Sequence, residues 1–490
     1  MIAILLQLLI ASCLAYLFIQ AARFLPPAEE KPEENRETAD EGDSTRRLST
    51  LLQCPTVSFP DPEMEDQGAF RQLEEILPQL FPHVHAQCAF EKVGTKGLMF
   101  HLTGSSPALD KEPLVLTAHY DVVPAEGGGW VHPPFSGLVQ EGVIYGRGAL
   151  DTKCTFSAIL SAVDTLLADG YAPERDLYLC FAGDEEVMGH GAADIAALLK
   201  KRGIAPLMVL DEGGAIVENA FPGIHQPFAV VGIGEKGSAN YRITVTGKGG
   251  HSSAPLSRSA LDKLFQAGQS IKKHPFPYRM TFAAKAMFDT LGRHTGFLYR
   301  LLFANLNVFG PLLDAATRKM GGEFNALVRT TAVPTTLSAG KAYNVIPQEA
   351  SMTVNCRILP GETTETVRET LLRHADPKKL GNVTVQLIDG SDPSAVSTLE
   401  DGPWQTLSRT IRATFPGVLV TPYLMLAMSD ARQYTSICPR VYRFSPMMLS
   451  RDERHMIHGE NEQIPAKKQL DAQRFFQRLI REICGDHLIS

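Results

Sequence analysis

The chain has 490 residues, 44% hydrophobic and 21% charged, the profile of folded domains with a sizeable core and not of a disordered chain. Its net charge of −7 is local: eight acids and two bases between Glu29 and Asp43 carry −6, and a near-neutral remainder argues against nucleic acid as a partner. Eight scattered cysteines without a CxxC pair fit reduced thiols and speak against a disulfide framework or a thiolate metal site.

The first element is apolar. Ile2 to Ala22, IAILLQLLIASCLAYLFIQAA, carries no charge, and about 20 such residues cross a bilayer as a helix. A cleavable signal normally opens with basic residues, and none precedes this run, so residues 1–22 read as an uncleaved single-pass membrane anchor; a cleaved signal is the alternative. The Ile10-Ala11-Ser12-Cys13 tetrad matches a lipoprotein cleavage box loosely. Arg23, Lys31 and Arg36 follow the run and lean the body toward the cytoplasm, with the side left open. Residues 23–45 are acid-rich and nearly free of aromatics, a flexible linker.

From Pro113 short strands alternate with helices. PLVLTAH, DLYLCFAG and PLMVLDEGG read as strands, and CTFSAILSAVDTLLADG and HGAADIAALLKKRG as helices closed by Gly170 and Gly203. That alternation predicts an α/β catalytic domain around a mostly parallel sheet. Beyond Gly237 the order becomes βαββαβ, the ferredoxin-like split motif, through YRITVTGKGG, LDKLFQAGQSIKK, TTLSAG, EASMTVNCRIL, TTETVRETLLRHA and NVTVQLID. The expected division is catalytic domain over 46–236 and 391–490, with a lid domain inserted at 237–390. Within the lid, the apolar stretch FLYRLLFANLNVFGPLL (297–313) is too interrupted to span a membrane. It reads as a partly buried lid helix, a lining for a greasy substrate, or a homodimer face.

Acids and histidines collect at the strand ends. His119 and Asp121 follow the first strand and, at i and i+2, face one way; Asp151 follows a glycine-bearing turn; Asp184, Glu185 and Glu186 end the second strand; Asp211 and Glu212 end the third. The carboxyl edge of a parallel sheet is where ligands bind. Four segments thus bring carboxylates and an imidazole to one edge, where neighbouring acids need positive charge among them. Oxygen and nitrogen donors without thiolate suit an open, catalytic zinc-type site, and two metals can share a bridging carboxylate.

LTAHYDVVP, GRGALDTK, AGDEEVMGHGA, LDEGG, GKGGHSSAP, YNVIP with CRILPGET, and IHGENEQI, in that order between about residues 46 and 485, resemble the M20 metallopeptidases. ANLNVFGPLLDAATRKMGGEFNALVRTT resembles the carboxypeptidase S and PM20D1-type branch. The resemblance implies two Zn2+ ions, or other divalent ions such as Co2+ or Mn2+. It implies His119 and Asp211 on one ion, Glu186 and His458 on the other, and Asp151 bridging, with Glu212 the alternative to Asp211. Asp121 would orient His119, Glu185 would take the proton of the attacking water, and His251 would stabilise the oxyanion. Asn344 and Arg357 look like a clamp for a substrate carboxylate; they also read as a turn before Pro347 and a lid salt bridge. Ser429-Asp430-Ala431-Arg432 resembles a substrate-pocket segment without a catalytic role, and His83, His85, His190 and His455 fit no ligand position. The implied activity is hydrolysis of the amide bond in small peptides or N-acyl amino acids with a free carboxylate; a deacylase of acetylated or succinylated metabolites is the alternative. A silent scaffold would have lost ligands, and every expected position is filled.

Overall fold

The computed structural model describes residues 2–27 and 37–485; residues 28–36 of the expected linker lie outside the described residues. Ile2–Arg23 is one helix.

The strands Leu114–His119 and Leu177–Ala182 are buried at every position, which is why their sequences are unbroken apolar runs. Alternate residues serve opposite faces. Leu114, Leu116 and Leu179 join Phe156, Ile159, Phe475 and Leu479 of the helices Lys153–Ala168 and Ala466–Cys484 in the largest core. Val115, Tyr178 and Cys180 meet Ala192, Ile195 and Leu199 of the helix Gly191–Lys201. Leu177–Ala182, Leu114–His119, Met208–Asp211 and Val441–Arg443 are neighbours in that order and pair in parallel. The hairpin Ala89–Val93 with Gly97–Leu102 adds antiparallel at one end. Phe228–Glu235 continues the other end and pairs in parallel with Leu419–Met425. His119 lies opposite Ala182, so the acid-bearing strand ends share one edge.

A second sheet is antiparallel, in the order Thr331–Ala339, Glu349–Ile358, Gly237–Thr246, Val383–Ser391. Its central strands alternate buried and partly exposed residues, as a sheet covered on one face requires. Ala239, Tyr241, Ile243 and Val245 pack with Leu264 and Ile271 of Ala260–Lys273 and with Val367 and Leu371 of Thr364–His374, a core separate from the first.

Chain order would assign the segment between Lys273 and Thr331 to this smaller sheet, but its helices pack elsewhere. Ala283, Ala284, Met287, Phe288 and Leu291 of Phe282–Arg293, Phe303 of Phe297–Phe303 and Leu313 of Leu306–Met320 belong to the large core. The Phe288 ring lies 5.9 Å from Phe221 and 5.6 Å from Phe303. The apolar face of Phe282–Arg293 therefore had a partner, and that partner was the catalytic sheet. Truncating Phe288 to Ala should lower global stability by about 3–5 kcal/mol, as for other buried phenylalanines. Chemical denaturation measures this; a change within error would mean the insert adds nothing to the large core.

Candidate active site

The second strand turns at Gly183, where a Cβ would fall 2.4 Å from the Tyr120 ring, so only glycine lets the chain pass. The next three residues divide the work. Asp184 accepts the backbone N–H of His190 at 2.9 Å and of Gly191 at 3.1 Å, which holds the turn into the following helix. The N–H groups of Glu185 and Glu186 each donate to Asp121, both at 3.2 Å. Asp121 is fully buried, accepts the Ser58 hydroxyl at 2.6 Å, and stands 3.4 Å from His119 Nδ1. One carboxylate thus sets the His119 ring and the two glutamates together.

Asp151 stands between two imidazoles. One oxygen lies 3.1 Å from His119 Nε2 and the other 3.0 Å from His458 Nε2, and Glu186 approaches His458 Nε2 at 3.1 Å. His119, Asp151 and Glu212 present donor atoms within 4.8 Å of one another, as do Asp151, Glu186 and His458. Two triads share Asp151.

The geometry separates the two adjacent acids that the sequence left as alternatives. Glu212, not Asp211, belongs to the first triad. Asp211 is turned to other work: its carboxylate accepts the N–H of Glu212 at 2.9 Å and of Ala431 at 2.7 Å. Consecutive side chains of an extended chain point opposite ways, so only one of the pair can face the triad.

Burial raises the pKa of Glu212 and Glu185 well above the carboxylate range, with Asp151 adding to both. Asp430, beside Glu185, is raised by burial and by Asp211. Contact with Asp151 and Glu186 lifts His458 to about 10. The imidazoles thus favour protons while Glu185 and Glu212 resist ionisation, the direction in which protons offset the charge of a carboxylate cluster. Glu186 Oε1 is buried without a hydrogen-bond partner. An orphaned acceptor among oxygen and nitrogen donors fits divalent cations, which displace those protons.

Glu462 went unrecognised in the sequence. It is fully buried and accepts from Arg147 Nη1 at 2.7 Å and from the N–H groups of Gly148, Leu150 and Asp151 at 3.0, 2.6 and 3.1 Å. It pins the loop that presents Asp151. The signal was the second acid of IHGENEQI, four residues beyond His458.

The other expected residues do not join the cluster. His251 lies exposed on a two-stranded ribbon with Val345–Ile346, and its neighbour Ser252 donates its N–H to the Asn344 carbonyl at 3.0 Å. The Ser253 N–H donates to His251 Nδ1 at 3.2 Å, which leaves Nε2 to carry the proton. Arg357 is half-buried on Glu349–Ile358 and has no ion-pair partner among the described residues. His85 packs its ring on Phe90 and Phe100, away from the strand ends.

A mostly apolar cavity of about 310 Å³ is lined by chain neighbours of two triad residues. Gly213 and Gly214 follow Glu212, Ile457 precedes His458, and Phe221, Met287 and Phe324 also line it. A larger cleft of about 730 Å³ lies near Leu25 and Trp404, and none of its lining residues adjoins a triad residue in the chain.

An acid-rich edge with two histidines on an α/β sheet defines a metallohydrolase. The pattern of peptidase family M20/M25/M40 matches residues 115–482, and the chain belongs to that family. It is 34% identical over 441 residues to the N-fatty-acyl-amino acid synthase/hydrolase PM20D1.1 of Danio rerio, covering 89% of this chain and 84% of that protein. It is likewise 34% identical to the probable carboxypeptidase S-like 2 of Dictyostelium discoideum, covering 89% of this chain and 84% of that protein. The M20 metallo-carboxypeptidase Sso-CP2 from Sulfolobus solfataricus shares the fold with a TM-score of 0.62 at 17% identity, covering 91% of this chain and 99% of that one. Human carnosine dipeptidase 1 superposes with a TM-score of 0.60 at 16% identity, covering 91% and 96%.

Changing Glu462 to Ala leaves the Arg147 guanidinium and three backbone donors buried without their acceptor. Thermal or chemical unfolding should report a loss of about 3–5 kcal/mol, the cost of stranding a buried charge. A neutral result would mean that the Asp151 loop holds itself.

Proposed function

We propose that the protein hydrolyses the amide bond of N-acyl amino acids with long apolar acyl groups, using two divalent ions, in the first place zinc. His119, Asp151 and Glu212 would hold one ion, and Asp151, Glu186 and His458 the other. The observation that carries the substrate class is the apolar cavity lined by Gly213 and Ile457, the chain neighbours of Glu212 and His458. It suits an acyl chain better than the acetyl or succinyl group of the alternative reading, and better than a peptide's polar backbone. The names of the PM20D1 relatives point the same way.

When bound, the two ions supply the Lewis acidity that makes water a nucleophile at neutral pH. Glu185 stands 4.0 Å from His119 Nε2 and is partly buried, with an affinity for protons raised by desolvation. It takes the proton of the attacking water and returns it to the departing amine nitrogen, base and then acid. His251, with its proton on Nε2, donates to the oxyanion once the smaller sheet closes over the edge as a lid. Arg357, without a carboxylate partner among the described residues, pairs with the substrate carboxylate, and Asn344 completes the clamp. Ile2–Arg23, long and apolar enough to cross a membrane, anchors the body as a single pass.

Metal analysis and turnover on one set of variants test the assignments. Glu185→Gln should keep both ions and lose about 10²–10⁴-fold in kcat. Glu212→Gln should lose bound metal. Substantial turnover in the first variant would overturn the base; full metal content in the second would return the ligand role to Asp211.

Ala220 lines the cavity. Ala220→Trp should lower kcat/KM for long-acyl substrates by at least about tenfold relative to acetyl substrates. Equal losses on an acyl chain-length series would remove the cavity from substrate binding.

A further inference from the structure

The terminal helix is docked along its last third. The Phe18 ring stacks on Phe297 at 5.8 Å, Asn305 Nδ2 donates to the Leu17 carbonyl at 3.2 Å, and Ala21 is fully buried. Phe24 enters the large core, with the Arg293 guanidinium 4.5 Å above its ring, and Arg293 Nη1 donates to the Leu25 carbonyl at 3.1 Å.

That docking conflicts with a body held wholly in water. Residues 2–16, which protrude freely, make about 22 Å of helix. A bilayer's hydrocarbon layer is about 30 Å thick. The missing length is about five residues, and the next five, 17–21, are those packed against the insert. Tilting the helix only lengthens the span required. For the anchor to cross, these residues and the helix beside them must enter the hydrocarbon.

The helix Phe297–Phe303 beside them, with the start of Leu306–Met320, is built for that. From Phe297 to Leu313 the only charged residue is Arg300, whose long side chain can reach back to the headgroups. Leu298 is 78% exposed, and Val308 and Leu312 are also exposed. Asn305, buried among them, spends its amide protons on the carbonyls of Leu17 and Leu301, so it presents no unmet donor to lipid. Arg23 and Arg293 stand at the other end of the docked section, where a water boundary belongs.

We infer that the helix Phe297–Phe303 is embedded in the bilayer beside the anchor, and that the catalytic body rests on the membrane through it. The inference rests on the anchor reading of Ile2–Arg23. Phe303, at the end of this helix, touches Phe221 at 5.3 Å, and Phe221 lines the apolar cavity. The cavity is thereby one aromatic layer from the lipid, and an acyl chain can reach it without crossing water.

The full-length protein in phosphatidylcholine vesicles tests this with an environment-sensitive fluorophore on single cysteines. Cys13 is exposed and the other seven cysteines are buried, so the native chain labels at Cys13. Cys13→Ser combined with Leu298→Cys labels the insert, and Cys13→Ser combined with Met64→Cys gives an exposed site outside it. Unchanged hydrolysis of a soluble short-acyl substrate checks the fold of the Leu298 variant. The expected result is a blue-shifted emission, quenched by brominated acyl chains, at positions 13 and 298 and not at 64. Quenching at 13 without quenching at 298 overturns the inference and leaves the anchor standing. No quenching at 13, or its loss by cleavage, overturns both. A blue shift at 298 that ignores brominated lipid means a protein surface, such as a second copy, covers the helix, and also overturns it.

Discussion

Five acids and two histidines crowded together at one partly buried site set the terms for the rest of the structure. Asp151, Glu185, Glu186, Glu212 and Asp430 would repel one another if all were ionised, and burial makes the repulsion stronger. The fold answers with a second set of carboxylates that never face the centre. Asp121 holds the N–H groups of Glu185 and Glu186, Glu462 those around Asp151, Asp211 that of Glu212, and Asp184 the turn behind them. The segments that carry Asp151, Glu185, Glu186 and Glu212 are thus each pinned by a neighbouring acid that accepts from the backbone. The inner carboxylates are left free for cations because the outer ones satisfy the chain.

This two-layer arrangement explains what could be read from the sequence and what could not. The strand ends were legible because a buried parallel strand is an unbroken apolar run, and the acids follow it without a gap. Motif resemblance then singled out His119, Asp151, Glu186 and His458, and these four do converge. Which of two adjacent acids faces inward was not legible. Asp211 and Glu212 differ by one peptide unit, and the choice depends on where Ala431, more than two hundred residues away, offers its N–H. Glu462 escaped for the same reason, since its role lies in four donors from a loop distant in the chain.

The division into sheets was legible as well, because alternation in Gly237–Thr246 and Glu349–Ile358 differs in kind from the continuous runs of the large sheet. The helical insert was not. An amphipathic helix announces that it needs a partner but not which one, and Phe282–Arg293 found its partner in the large core and not in the sheet that flanks it in sequence.

That choice ties together parts of the chain far apart in sequence. The insert contributes Met287 and Phe324 to the cavity beside the acid cluster, packs Phe288 and Phe303 into the core, and receives Phe18 of the terminal helix on its outer side. Lined by large side chains, a cavity wall of this kind is only as rigid as what stands behind it. Here the wall has the terminal helix behind it. Whatever fixes that helix in place also bears on the shape of the cavity. On the proposed reading, membrane attachment and substrate choice are therefore two consequences of one packed layer.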